Sequence, residues 1–245
     1  MSGLLLEVAA NSLASALAAQ DGGADRIELC ENLGEGGCTP SYASIALARE
    51  RLRIPLYVLI RARAGDFLYD ALERELMRRD IENCARLGCD GVVIGALDAD
   101  GEVDRAACAE WIAAAGGMGL TFHRALDAAR DPARALEDAI ALGCERVLTS
   151  GAAAGAPAGA PAIAALVRQG GGRIAVMAGA GIEPGNVAAL VAATGVREVH
   201  ASAKALQRSR MRYRNPALAG LEPDWIASDR ERVVELRRAL DACGA

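Results

Sequence analysis

The sequence predicts a closed α/β barrel of the (β/α)8, or TIM barrel, class. Three observations carry that expectation. Strand-like and helix-like segments alternate eight times without a break, 245 residues hold eight such units, and six of the strands end on a polar residue. An open doubly wound sheet is the rival. It has one switch point and would not place Glu7, Glu28, Arg61, His123, Thr149 and His200 each at a strand end.

The elements follow in order. Strand-like runs rich in aliphatic and β-branched residues lie at 4–9, 26–30, 56–61, 91–97, 119–124, 146–150, 173–178 and 198–202. Stretches of helical period lie between and after them, at 12–20, 41–52, 72–87, 105–115, 132–142, 161–169, 186–193 and 229–242. Such alternation forces parallel pairing, because each helix carries the chain back along the sheet. A short pattern recurs before the even strands: Gly23-Ala24-Asp25-Arg26, Gly88-Cys89-Asp90-Gly91, Gly143-Cys144-Glu145-Arg146 and Gly195-Val196-Arg197-Glu198. Glycine there ends a helix and a polar pair turns into the strand. This is either a quarter-barrel repeat or loop chemistry that recurs by convergence. One domain is expected over 1–245. An Ala/Gly/Pro-rich loop is expected at 152–162, and a long connection after strand eight at about 204–226.

Composition narrows the function. Hydrophobic residues make up 52% and charged residues 24%, which is globular composition. The net charge is −5, so no nucleic-acid footprint is expected. No apolar run reaches the ~20 residues of a membrane span, and residues 1–10 carry Glu7 without a basic region, so no signal peptide is expected. Lys204 is the only lysine, which disfavours Schiff-base chemistry. Seven cysteines without a CxxC pair are expected as free thiols in a reducing cytoplasm.

Four constellations could carry chemistry. Glu7, Glu28, Arg61 and His123 end strands one, two, three and five, and offer a general base, a general acid and an anion clamp. A buried ion-pair network that fills the lumen is the alternative. Gly179-Ala180-Gly181 after strand seven could cradle a phosphate or carboxylate, with Thr149, Ser150, His200 and Ser202 as further donors on the same rim; a tight βα turn is the alternative. Arg63, Asp66 and Tyr69 follow Arg61 in a loop that could close over a ligand or lie solvated. Cys30, Cys38, Met177 and Met211 are soft donors that could meet around Cu(I), although a strand cysteine is more often packing.

These residues resemble the CutC family, described as copper homeostasis proteins. The resemblance runs from Leu4 to about Asn215. It is carried by Gly23-Ala24-Asp25-Arg26-Ile27-Glu28-Leu29-Cys30, Thr121-Phe122-His123-Arg124-Ala125, Arg146-Val147-Leu148-Thr149-Ser150-Gly151, Ala178 to Ile182 with Asn186, His200 with Ser202, and Met211 with Tyr213 to Asn215. It implies a (β/α)8 barrel in the cytoplasm, assembled as a homo-oligomer (dimer or tetramer), with a role in copper homeostasis through Cu(I) binding. Cys30 matches one proposed copper ligand of the family, whereas Ala9 stands where some members carry a second cysteine. The acid–base residues Glu7, Glu28, Arg61, His123 and Arg124 are all present, and hard oxygen and guanidinium groups do little for Cu(I). The alternative function is an enzyme of lyase, isomerase or hydrolase type acting on a small anionic or phosphorylated metabolite.

Overall fold

The computed structural model describes residues 3–217 and 220–243. Strands β1 (Leu5–Ala10), β2 (Arg26–Leu29), β3 (Leu56–Leu59), β4 (Gly91–Ile94), β5 (Gly119–Phe122), β6 (Arg146–Thr149), β7 (Ala175–Gly179) and β8 (Glu198–Ala201) close into a parallel barrel in chain order, with β8 returning to β1. Around it run α1 (Leu13–Asp21), α2 (Tyr42–Arg51), α3 (Ala71–Leu87), α4 (Arg105–Ala115), α5 (Ala125–Ala128), α6 (Pro132–Ala141), α7 (Ala160–Gly170), α8 (Val187–Thr194) and α9 (Arg230–Asp241). The fold is the (β/α)8 barrel.

Helix boundaries follow from caps. Ser12, Ser41, Asp70, Asp104, Asp131 and Asp229 each accept a backbone N–H of the helix they start. The recurring Gly-x-acid pattern has a mechanical role at two of its sites. Asp25 Oδ2 accepts from Leu6 N at 2.7 Å, and Asp90 Oδ2 accepts from Leu56 N at 2.8 Å. Each pins the start of the preceding odd strand. Several strands stop short of the expected span because the chain beyond them pairs with a loop instead. Past Leu59, Arg61 N donates to Thr39 Oγ1 at 2.8 Å and Arg61 O accepts from Thr39 N at 3.0 Å.

The pleat divides the side chains. Leu6, Val8, Ile27, Leu29, Val58, Ile94 and Phe122 point outward and pack with helical residues such as Met77, Ile81, Trp111 and Leu136 in the main apolar core. The opposite parity fills the lumen, where Cys30, Tyr57, Leu59 and Val93 form a separate small apolar cluster among charged groups.

The connection after β8 is not wholly a loop. Its ends pair as an antiparallel ribbon, β9 (Lys204–Gln207) with β10 (Trp225–Ser228). Ser228 Oγ donates to Ala9 O at 3.2 Å and Asn11 Nδ2 donates to Ile226 O at 2.8 Å, tying the ribbon to the top of β1. Leu218 and Ala219, inside the expected 204–226 segment, lie outside the described residues.

Candidate active site at the barrel mouth

The floor of the lumen is a tyrosine lying across the barrel. An added Cβ would come within 2.1 Å of the Tyr57 ring at Gly91 and within 2.0 Å of its hydroxyl at Gly119, so both strand starts must lack a side chain. The Tyr57 hydroxyl donates to Glu145. The guanidinium carbons of Arg26 and Arg146 stand 5.2 and 4.9 Å from its ring centroid. Glu198 Oε2 bridges those arginines, accepting from Arg26 Nη2 at 2.6 Å and Arg146 Nε at 3.1 Å. Arg26 is the residue that reading strand ends overlooks, because it opens its strand.

One layer higher, Glu7 is fully enclosed and both its oxygens are occupied. Arg26 Nε donates to Oε2, and His200 Nδ1 lies 2.8 Å from Oε1. Burial opposes ionisation of Glu7, but Arg26 and His200 outweigh it and hold the carboxyl at about 2. Glu28 sits beside this pair without a guanidinium of its own. Burial, reinforced by the Glu7 charge against the pull of His200 and Arg26, raises its carboxyl to about 7. Its Oε2 is buried with no hydrogen-bond partner among the described residues. Burial disfavours the His200 cation, but Glu28 and Glu7 raise its pKa on balance.

His123 faces the same cavity from the top of β5. Its Nδ1 accepts the Ala125 N–H at 3.1 Å. Burial, and then the Arg61 charge, depress the imidazole to about 3. It is therefore neutral with its proton on Nε2, and Nε2 is buried without a partner among the described residues. Gly95 makes room for the ring, since a Cβ there would lie 2.6 Å from it, and Phe67 stacks at 4.9 Å.

The other expected site residues divide in two. Glu28, Arg61, His123, Arg124, Gly181, His200 and Ser202 line one cavity of about 820 Å³ at the C-terminal mouth. Arg61 lines it with Nε buried and without a partner among the described residues, while its other two nitrogens are committed to loop carbonyls. Nη1 donates to Glu35 O and Gly37 O, both at 2.9 Å, and Nη2 to Gly65 O at 2.6 Å, so the guanidinium ties two βα loops together. Arg63 and Asp66 pair with each other at 3.0 Å, and Arg63 with Glu73 at 2.6 Å, in a local cluster that does not line the cavity. Thr149 and Ser150 are not rim donors either. Their hydroxyls turn to Asp127, which also accepts the N–H groups of Ser150 and Ala152. Asp127 lies in α5, a four-residue helix with no periodic signal. It further pairs with Arg124 at 2.8 Å, placing that guanidinium at the lip of the cavity. Gly179 packs under Leu148 and His200, and the turn that reaches the cavity is Ala180-Gly181, both left-handed at φ 74° and 71°.

Cys30 does not line the cavity. The 33–37 loop covers it: a Cβ on Gly37 would lie 3.4 Å from the Cys30 Cβ. Burial, then the Glu28 charge, push its thiol well up.

Comparison with known proteins gives the lineage. Residues 4–205 match the model of the CutC family. The chain belongs to the CutC family. It is 60% identical over 235 residues to the family protein CutC of Xanthomonas campestris pv. campestris (strain B100), covering 96% of this chain and 98% of that protein. It is 59% identical over 243 residues to the family protein CutC of Chromobacterium violaceum, covering 97% and 98%. Among solved structures it matches a CutC from Streptococcus agalactiae, described provisionally as a copper homeostasis protein. That match has a TM-score of 0.78 and 32% identity, over 81% of this chain and 98% of that one.

The residues of this CutC-family chain can be tested against the metal the family name implies. Glu7, Glu28 and His200 each bring one ligand atom within 4.8 Å of the others. Both oxygens of Glu7 are already engaged, one by a guanidinium, and three oxygen or nitrogen donors are hard for Cu(I). Of the soft donors, Cys38 lies close enough to Cys30 to raise its thiol, but the methionines do not join them. Cys30 is covered, Met177 Sδ faces Arg26 Nη2 at 3.5 Å, and Met211 is exposed on the segment between β9 and β10. The Glu7, Glu28 and His200 group does not fit Cu(I).

Proposed function

We propose that this CutC-family barrel is an enzyme that moves a proton on a small anionic metabolite held in its mouth. One observation carries the reading: Glu28 Oε2 and His123 Nε2, both buried and both without a partner among the described residues, belong to side chains lining the same cavity. Leaving buried polar atoms unpaired costs about 1–3 kcal/mol each, so their persistence marks a place for a ligand. In this reading Glu28 gives and takes the proton. His123 donates a hydrogen bond to a substrate oxygen, and Arg124 with the Ala180-Gly181 turn receives the negative end. Glu7, Arg26 and His200 set the field around Glu28. Thermal unfolding in the presence of inorganic phosphate, citrate and sugar phosphates tests it. Stabilisation that is lost in Arg124→Ala supports the site; no stabilisation by any of these anions contradicts it.

Copper handling is the second reading, favoured by the family name and by the description of the Streptococcus agalactiae relative. Copper would then be cargo, and Cys30 the residue to hold it after the 33–37 loop opens. Anaerobic competition for Cu(I) against a chelator decides it. Loss of one equivalent in Cys30→Ser supports the reading, and unchanged stoichiometry removes it. A reducing, cytoplasmic location is supported by seven free cysteines. Assembly with further copies is supported by Met211, Tyr213, Leu221 and Trp225, all exposed on the ribbon and its connection. Sedimentation would read the subunit number.

A further inference from the structure

We infer that the substrate is a phosphorylated hydroxycarbonyl compound and that the reaction passes through an enediolate, with Glu28 as the base and the neutral His123 as the donor to the developing oxyanion. This rests on the enzyme reading above and names its chemistry.

The inference comes from what the lumen contains and what it lacks. No amine lies in the lumen among the described residues. The sole lysine, Lys204, opens β9 and reaches the cavity at its exposed outer rim. A carbonyl held deeper, at Glu28 and His123, is then activated by hydrogen bonding and not as an iminium. The thiol and the hydroxyl nearest the lumen are not activated as nucleophiles. Cys30 is covered, its thiol disfavoured as thiolate by burial, and the Ser150 hydroxyl is held between Asp127 and Ala153 O, to one of which it donates. Neither group is a candidate for covalent catalysis. Hydrolysis needs an acid for the leaving group besides the base. His123 cannot supply that proton, because its Nδ1 accepts from the backbone and Arg61 stands close enough to repel a second charge; His200, the other imidazole on the cavity wall, has its Nδ1 bound to Glu7.

What remains is one carboxyl with a free oxygen and one imidazole fixed as an Nε2–H donor, both on the wall of a single chamber. That combination suits proton abstraction next to a carbonyl. A neutral imidazole stabilises an enediolate without protonating it outright, and a carboxylate with little hydration is a stronger base. The step balances within the site. Glu28 takes the proton from the carbon next to the carbonyl. The C–H electron pair becomes the C=C bond, and the carbonyl π pair moves to oxygen, where His123 Nε2–H bonds it. The proton on Glu28 then returns to the former carbonyl carbon while the hydroxyl proton on the deprotonated carbon passes to the former carbonyl oxygen, so that the C=C pair becomes the new C–H bond and the new carbonyl forms on the deprotonated carbon. No oxidant, reductant or second substrate is consumed. Arg124 at the lip and the paired left-handed residues Ala180 and Gly181 give the phosphate its place away from the reacting carbons.

The test is deuterium wash-in. The full chain is incubated in D2O with dihydroxyacetone phosphate, ribulose 5-phosphate or fructose 6-phosphate, and deuterium at the carbon next to the carbonyl is read by NMR. The expected result is exchange into at least one probe, reduced on the order of 10²–10⁴-fold in Glu28→Gln and about 10²–10³-fold in His123→Phe. Both variants are checked for a cooperative urea-unfolding transition and for retained probe binding by thermal shift. A probe that stabilises the protein yet exchanges no proton would overturn the enediolate inference and leave the anion site standing. No binding by any of the three would remove both.

Discussion

Replacing Arg26 by methionine should convert the lumen from acid-sensitive to acid-tolerant. Arg26 is the strongest opponent of burial at Glu7 and also binds Glu198. Holding Glu7 at about 2 against an ordinary 4.5 corresponds to about 3 kcal/mol of folding stability. The folded pKa is depressed, so this contribution is present above pH 4.5 and disappears as pH falls from 4.5 towards 2. In Arg26→Met two buried carboxylates lose a shared cation, and removing one partner of a buried pair costs about 3–5 kcal/mol. Glu7 must then titrate above its unfolded value, because burial is opposed by His200 alone. The deficit of the variant should therefore be about 3–5 kcal/mol at pH 7 and at least ~2 kcal/mol smaller at pH 4. Urea unfolding at both pH values measures it. A deficit under ~1 kcal/mol at pH 7, or one that does not change with pH, would refute the assignment of Arg26 as the counter-charge.

Other outcomes follow from the same geometry. Glu28 is raised to about 7, so its folded form costs stability as pH rises from 4.5 through 7; Glu28→Gln should gain about 2 kcal/mol relative to the native chain on going from pH 5 to pH 8 by urea unfolding, while any turnover is lost. Gly91→Ala should destabilise by about 3 kcal/mol or more, because its Cβ meets the Tyr57 ring, and adding Tyr57→Leu should recover part of that loss in thermal melts. Ala180→Gly should stabilise by about 1 kcal/mol by relieving a left-handed alanine. Asp127→Asn should speed amide hydrogen exchange at 150–153, where its carboxylate holds the loop, and leave β1 unaffected.

The barrel was legible because its period is written in the pleat. Lumen positions alternate along each strand, so Glu7, Glu28, His123 and His200 declare themselves as polar residues of one parity near strand ends. Four features stayed hidden. Arg26 and Arg146 open their strands, where an arginine is ordinary, and only closure of the barrel brings them over Tyr57. Arg61 has the right position for an anion clamp, but sequence spacing does not show that three loop carbonyls claim its guanidinium. The 204–226 connection lacks continuous apolar periodicity. Its ends pair only because seventeen residues between β9 and β10 return the chain. The family likeness pointed to copper through Cys30, and the packing of the 33–37 loop over that cysteine is a tertiary fact with no local sequence signal.

The most direct measurement is the ionisation of one carboxyl group in the intact protein. With ¹³C-labelled glutamate, a side-chain carboxyl signal should titrate near pH 7 in the native chain and be missing from the Glu28→Gln spectrum. A Glu28 signal that has completed its titration by pH 5 would contradict the picture of a dry, basic carboxylate waiting in the barrel mouth.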